Sequence, residues 1–252
     1  MDETEHPGFP VREAAGAGSV PVLDERVTHC RACPRLVEWR ERVGREGRRA
    51  YAGWEYWARP VPGFGPPDAA LLLVGLAPAA HGGNRTGRMF TGDRSGDVLF
   101  AALHTLGLAN RAEAVRAGDG LRLRGVRVTS PVHCAPPENK PTPGERDTCR
   151  PWLAGELRLL RPTVRAVVVL GAFGWQATLP ALAAGGWAVP RPRPAFGHGA
   201  RVRLPATDGG PGLDVFGCYH VSQRNTFTGR LTPEMLTDVL GEAARTAGLD
   251  PR

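Results

Sequence analysis

Four short runs of apolar, mostly branched residues punctuate the chain, at 69–76, 126–132, 166–170 and 215–221. Near-continuous apolarity at that length predicts strands buried on both faces. Between and after them, apolar positions recur with helical spacing over 97–108, 146–160, 173–184 and 233–247. The last of these carries Thr232 as a cap and Pro233 at the first helical position. Its residues Met235, Leu236, Val239, Leu240 and Ala243 form one apolar face. Upstream, 22–46 is helical and strongly charged, interrupted by Cys30-Arg-Ala-Cys33-Pro34, and the Trp-, Pro- and Gly-dense stretch from Trp54 to Pro67 predicts a loop. Residues 1–20 read as a flexible tail, which leaves 21–252 as a single domain; no internal repeat is visible.

Strands alternating with helices imply βαβ units. The expected fold is α/β, a three-layer α/β/α arrangement around a central, mostly parallel four-stranded sheet. In such sheets ligands bind beyond the carboxyl ends of the strands.

Composition adjusts this picture only slightly. At 252 residues, 42% hydrophobic and 23% charged, the chain suits one sizeable globular domain, and its 33 Gly and 24 Pro imply long ordered loops. No apolar run approaches the roughly 20 residues that span a bilayer. No basic segment followed by an apolar core marks a signal peptide, so no membrane association and a cytoplasmic location are expected. The net charge of +7 is carried by arginine, Lys140 being the only lysine. It fits either an Arg-favouring codon composition or an anionic partner such as nucleic acid.

Five cysteines in a reducing compartment argue against disulfides. Cys30 and Cys33 are spaced to share one metal centre, and Cys134 and Cys149 lie far along the chain. Four thiolates suit zinc or an iron–sulfur cluster, and isolated buried thiols are the alternative. A zinc ribbon brings two close pairs, so the wide second pair favours the cluster. Cys218, inside an apolar run, reads as core.

Two polar, glycine- and arginine-bearing loops follow strand ends. The first, 75–97, contains the lone aromatic Phe90, suited to stacking on a base, and matches no nucleotide-cofactor pattern. The second begins at His220. On one sheet edge, the two would form a cleft.

The segments GLAPAAHGGNRTGRMFTGDRSGD (75–97), CAPPENKPTP (134–143) and HVSQRNTFTGRLT (220–232) together resemble the uracil-DNA glycosylase superfamily, most closely its type B (family 5) members. The resemblance covers about Cys30 to Thr232. It implies a monomeric, monofunctional DNA glycosylase that initiates base-excision repair. Its substrates would be uracil, hypoxanthine and xanthine in double-stranded DNA. It also implies a structural 4Fe–4S cluster on Cys30, Cys33, Cys134 and Cys149, with no catalytic metal.

By the same resemblance, His220 donates to the pyrimidine O2 and Phe90 stacks on the extruded base. Gly75, Ala77, Pro78, Ala79 and Ser130 complete the base site. His81, Arg85, Arg88, Ser222, Asn225 and Arg230 would face DNA, and Gln223 or Arg224 would fill the gap left in the duplex. Ala77 stands where better-known relatives carry a water-positioning Asp or Asn, so Asp93 and Asn139 become the candidates for that task. Ser130 stands where some relatives carry a base-reading Asn, and Val221 replaces the proline of a His-Pro-Ser motif. Two other readings are a type A glycosylase preferring single strands, which would more typically carry an acidic residue at Leu76, and a non-catalytic, metal-pinned nucleic-acid-binding module.

Overall fold

The computed structural model describes residues 3–252. Its elements begin with α1 (Phe9–Ala15), α2 (Val20–Val27) and α3 (Pro34–Glu46). Then come β1 (Leu71–Val74), α4 (Gly83–Thr86), α5 (Arg94–Thr105), β2 (Val126–Thr129), α6 (Pro143–Leu160), β3 (Ala166–Leu170) and α7 (Ala172–Ala184). The chain closes with β4 (Arg201–Leu204), β5 (Leu213–Cys218), α8 (Gln223–Phe227) and α9 (Pro233–Thr246).

The strands lie in the order β2-β1-β3-β5-β4, all parallel except the β4–β5 pair. From β1 the chain proceeds to β2 on one side, and from β3 to β5 on the other. The direction of winding thus reverses between β1 and β3, and the crevice for a ligand opens at the carboxyl ends there.

Successive strand residues point to opposite faces. Leu71, Leu73, Val128, Val168 and Phe216 pack with Leu99 and Leu103 of α5 and Leu236 and Leu240 of α9. Leu72, Val74, Val167, Val169 and Val215 pack with Leu153 and Leu157 of α6 and Trp175 and Leu179 of α7. Caps set the helix starts: Thr142 and Glu145 form a reciprocal capping box on α6, and Thr232 accepts the Met235 N–H at 3.2 Å on α9. Cys218 is core, as expected, and burial pushes its thiol up to about 12.

Two expectations are corrected. The sheet has five strands rather than four, because β4 is an edge strand with Arg201 and Arg203 exposed and only Leu204 fully buried. An edge strand does not need apolar continuity, so it leaves no such run in the sequence. Second, residues 3–15 are structured rather than a flexible tail, while Met1 and Asp2 lie outside the described residues. Helix α1 packs on α6 and buries Phe9, Pro10 and Ala14; Phe9 meets Trp152 edge-on with ring centroids 6.1 Å apart. A seven-residue helix is too short to be stable alone, so its order comes from the surface it covers.

A buried ion network ties these N-terminal helices to the sheet. Arg127 of β2 pairs with Glu156 of α6 and, at 2.5 Å, with Asp24 of α2, and donates to the Gly65 carbonyl at 3.0 Å. Burial pushes the Asp24 carboxyl up to about 6, against the pull of Arg127. Among the described residues no helix is long and apolar enough to cross a membrane.

Candidate active site

The long loop after β1 is folded back over its own strand end. Asp93 caps α5, its Oδ1 accepting the Gly96 N–H at 3.0 Å. Phe90, just before it, holds a left-handed backbone with φ 52°. Such strain persists only where the surroundings over-determine it. The Phe90 ring sits so close to Gly75 that a Cβ there would lie 2.6 Å from it, which explains the glycine.

Phe90 lines a cavity of about 290 Å³ together with Leu76, Ala77, Pro78, Ala79, Met89, Asp93, Ser95, Ser130, Asn139, His220 and Ser222. The wall is built by the loops after β1, β2 and β5. The His220 imidazole lies 6.3 Å from the Phe90 ring, centroid to centroid, at an interplanar angle of 32°. Burial drives the His220 pKa down to about 4, so near neutrality the ring is uncharged, with one N–H to donate. Behind it, Asn225 Nδ2 donates to the His220 carbonyl at 2.8 Å. The backbone is thereby tied while the ring nitrogens keep no hydrogen-bond partner among the described residues.

The remaining polar groups differ in freedom. The Ser130 hydroxyl donates to the Val132 carbonyl at 2.8 Å. Burial raises the Asp93 carboxyl, and its Oδ2 is wedged where a Cβ on Gly82 would lie 2.0 Å away. Asn139 is exposed and follows Glu138 in a left-handed pair, φ 55° after φ 53°.

Ala77, Pro78, Ala79, Phe90, Asp93, Ser130, Asn139, His220 and Ser222 thus line one cavity, while Gly75 lies behind Phe90. Nothing in the sequence singles out Met89 and Ser95, which join the wall only through the path of the loop, and Leu76, the position that separates this chain from type A enzymes, joins it too.

Of the arginines of this segment, Arg94 at the start of α5 is exposed, while Arg85 and Arg88 do not face outward. Arg85 is buried with its guanidinium 3.9 Å from the Tyr51 ring centre and 4.2 Å from that of Trp54, donating to the His81 and Gly92 carbonyls at 2.7 and 2.9 Å. Arg88, also buried, forks onto Asp119 at 2.8 and 2.7 Å. Both brace the loop from buried positions, which corrects their expected role as phosphate contacts. His81 is likewise occupied, Nδ1 meeting the Tyr56 hydroxyl at 3.0 Å, and Asn225 holds the His220 backbone. Gln223, Arg224 and Arg230 remain exposed. On the same short helix as Gln223 and Arg224, Phe227 is 67% exposed, an apolar side chain of the kind that wedges between base steps. Its signal in the sequence is an aromatic amid polar loop residues.

Cys30, Cys33, Cys134 and Cys149 line a separate cavity floored by Leu36 and Trp152. Burial and the neighbouring sulfurs push Cys30 up to about 11 and Cys33 up to about 12. Arg40 Nη1 donates to Cys134 Sγ at 2.9 Å, and the His133 N–H to Cys149 Sγ at 3.4 Å. Among the described residues no three His, Cys, Asp or Glu side chains are grouped to hold one metal ion.

Known proteins share this chain's pattern. The family model of the uracil DNA glycosylase superfamily matches residues 62–244. The chain is 55% identical over 237 residues to a type-5 uracil-DNA glycosylase of Mycobacterium tuberculosis (strain CDC 1551 / Oshkosh), covering 94% of this chain and 85% of the relative. It is 52% identical over 226 residues to the type-5 enzyme of Thermus thermophilus, covering 89% and 97% of the two chains. With the type-5 enzyme of Pyrobaculum aerophilum it shares 48% identity over 223 residues, covering 88% and 91%.

Proposed function

The chain belongs to the uracil-DNA glycosylase superfamily, and from that premise we propose how its cavity works and what it accepts. It is a uracil-DNA glycosylase, a hydrolase of N-glycosyl bonds in DNA repair. The finer reading is removal of uracil, hypoxanthine and xanthine from double-stranded DNA. The observation that carries it is Ser130. Its hydroxyl donates to the Val132 carbonyl, and Ala77, also in the wall, offers no polar side chain. Neither position therefore supplies a side-chain amide to read uracil, and the wall's one amide, Asn139, is given below to the attacking water, so rings of different edge pattern can enter.

The target nucleotide leaves the stack and its base enters the cavity, stacking on Phe90. Cleavage of the glycosidic bond leaves negative charge on the base and positive charge on the sugar. Neutral His220 donates its N–H to the charging base oxygen, a preorganised donor that needs no rearrangement during the reaction. We assign the attacking water to Asn139, since Asp93 Oδ1 caps α5 by accepting the Gly96 N–H and Oδ2 packs closely against Gly82. Asn139→Ala then lowers the single-turnover rate by about tenfold or more through lost orientation, whereas Asp93→Ala chiefly lowers the melting temperature. The reverse pattern would move the water to Asp93. Gln223, Arg224 and Arg230, all exposed, are placed to meet the DNA backbone and the vacated gap.

We assign a structural 4Fe–4S cluster to Cys30, Cys33, Cys134 and Cys149. Each cysteine of such a cluster binds its own iron, which suits four thiols spread around a cavity better than a single zinc ion does. Buried polar atoms without partners, Arg40 Nε and His133 Nε2, belong to residues that touch this group. Bound there, such a cluster would join the start of α3, the loop after β2 and α6, leaving the bond-breaking chemistry to the other cavity.

A panel of duplexes, each with one uracil, hypoxanthine or xanthine, and the same strands unpaired, tests the substrate reading. Alkali-labile sites are expected for all three bases, formed faster in duplex. Release of uracil alone, or preference for single strands, would overturn it.

A further inference from the structure

Arg40 of α3 is 2% exposed. A guanidinium taken out of water costs several kcal/mol unless an anion meets it. Arg127 has Glu156 and Asp24 for this purpose, and Arg88 has Asp119. Arg85 lies against two aromatic rings. Arg40 has no carboxylate partner among the described residues. Nη1 and Nη2 both reach the Cys30 carbonyl at 3.2 Å, Nη1 also donates to Cys134 Sγ at 2.9 Å, and buried Nε has no partner. The group in contact able to carry negative charge is sulfur.

We propose that Arg40 is the internal counter-cation of the cysteine site, meeting the thiolate charge of the bound cluster through its N–H···S bond to Cys134. This rests on the cluster assignment made above. Four thiolates on an iron–sulfur core leave net negative charge in a buried place, and hydrogen bonds to the sulfurs help set the reduction potential. A cationic donor on one ligand sulfur stabilises the reduced, more negative form and so raises that potential. The same guanidinium holds the Cys30 backbone, so one side chain bridges two ligands 104 positions apart in sequence, Cys30 and Cys134. Arg40 is a positioning residue: it acts on the cluster through its ligands.

The test uses the full chain, purified without oxygen, with Arg40→Met, Arg40→Gln and Arg40→Lys beside the parent. Iron and acid-labile sulfide per chain, the rate at which a ferrous chelator bleaches the visible absorption, and the reduction potential are measured. The uncharged variants are expected to lose iron about tenfold faster or more, in the range for removing a partner of a metal ligand. Their potential should shift negative, while Arg40→Lys stays within about threefold of the parent. Failure of the two uncharged variants to fold, with Arg40→Lys folded and loaded, supports the same requirement for charge. Parental bleaching rate and potential in Arg40→Met would overturn the proposal, as would failure of all three variants to fold, which would mark a packing role. A parent holding zinc alone, or no metal, would instead sink the cluster assignment itself.

Discussion

Replacing His220 by alanine lowers the single-turnover rate of uracil release by about 10²–10³-fold, the scale of losing one preorganised donor at a charging oxygen. Binding of damaged duplex should change far less, because the donor matters most once the base carries charge. The ring is set for this: it faces the cavity beside Phe90, its backbone is tied by Asn225, and among the described residues no other side chain uses its nitrogens. The pH dependence carries its own signature. Burial lowers the His220 pKa from 6.5 to about 4, so as pH falls through 6.5 the folded protein does not yet take up the proton. The neutral donor persists until the pH approaches about 4. The ratio of parent to His220→Ala rates should therefore stay level from about pH 8 to 5 and change only below that. A change in the ratio centred near 6.5 would mean an imidazolium, and would reject the neutral-donor mechanism.

Replacing Arg127 by methionine destabilises the fold by about 3–5 kcal/mol, because it strands the buried Glu156 carboxylate without its cation. For a chain of this length that corresponds to a melting temperature lower by about 10 °C. The loss should be measured by denaturant unfolding, with activity tested separately on the folded fraction. A second change, Glu156→Leu, should restore most of the stability, since an apolar pair in place of a buried ion pair is often neutral. A double variant no better than Arg127→Met would show that packing around Arg127, rather than the stranded charge, carries the cost. Arg127 spans three layers of sequence, reaching α2 and α6 from β2, so its loss should also loosen the N-terminal helices.

Much of this molecule is legible without coordinates where a physical demand writes itself locally. β1 and β3 lie in continuous apolar runs, and β2 and β5 in runs interrupted by Arg127 and Asp214, because both faces of a parallel sheet are covered. The start of α9 is readable from Thr232 and Pro233 because capping is a contact between near neighbours. The loops at 75–97 and 220–232 stand out because a base site needs glycine, an aromatic and a donor close together, and Phe90 and His220 do meet across the cavity. β4 escapes notice because an edge strand with arginines outward obeys no such demand.

The four cysteines show the division most clearly. Their residue type and spacing determine, from sequence alone, that four sulfurs are available. Their gathering around one cavity, with the Arg40 guanidinium against Cys134, is decided by how α3, the loop after β2 and α6 pack. The same holds for Arg85 and Arg88. In the sequence an arginine in a polar loop reads alike whether its partner is a phosphate or an inward group. In the fold Arg88 finds Asp119, 31 positions away, and Arg85 finds Tyr51 and Trp54. Local pattern determines which groups exist and which elements they ride on. Tertiary structure decides which charges are already satisfied, because a buried charge takes whatever partner packing brings within reach.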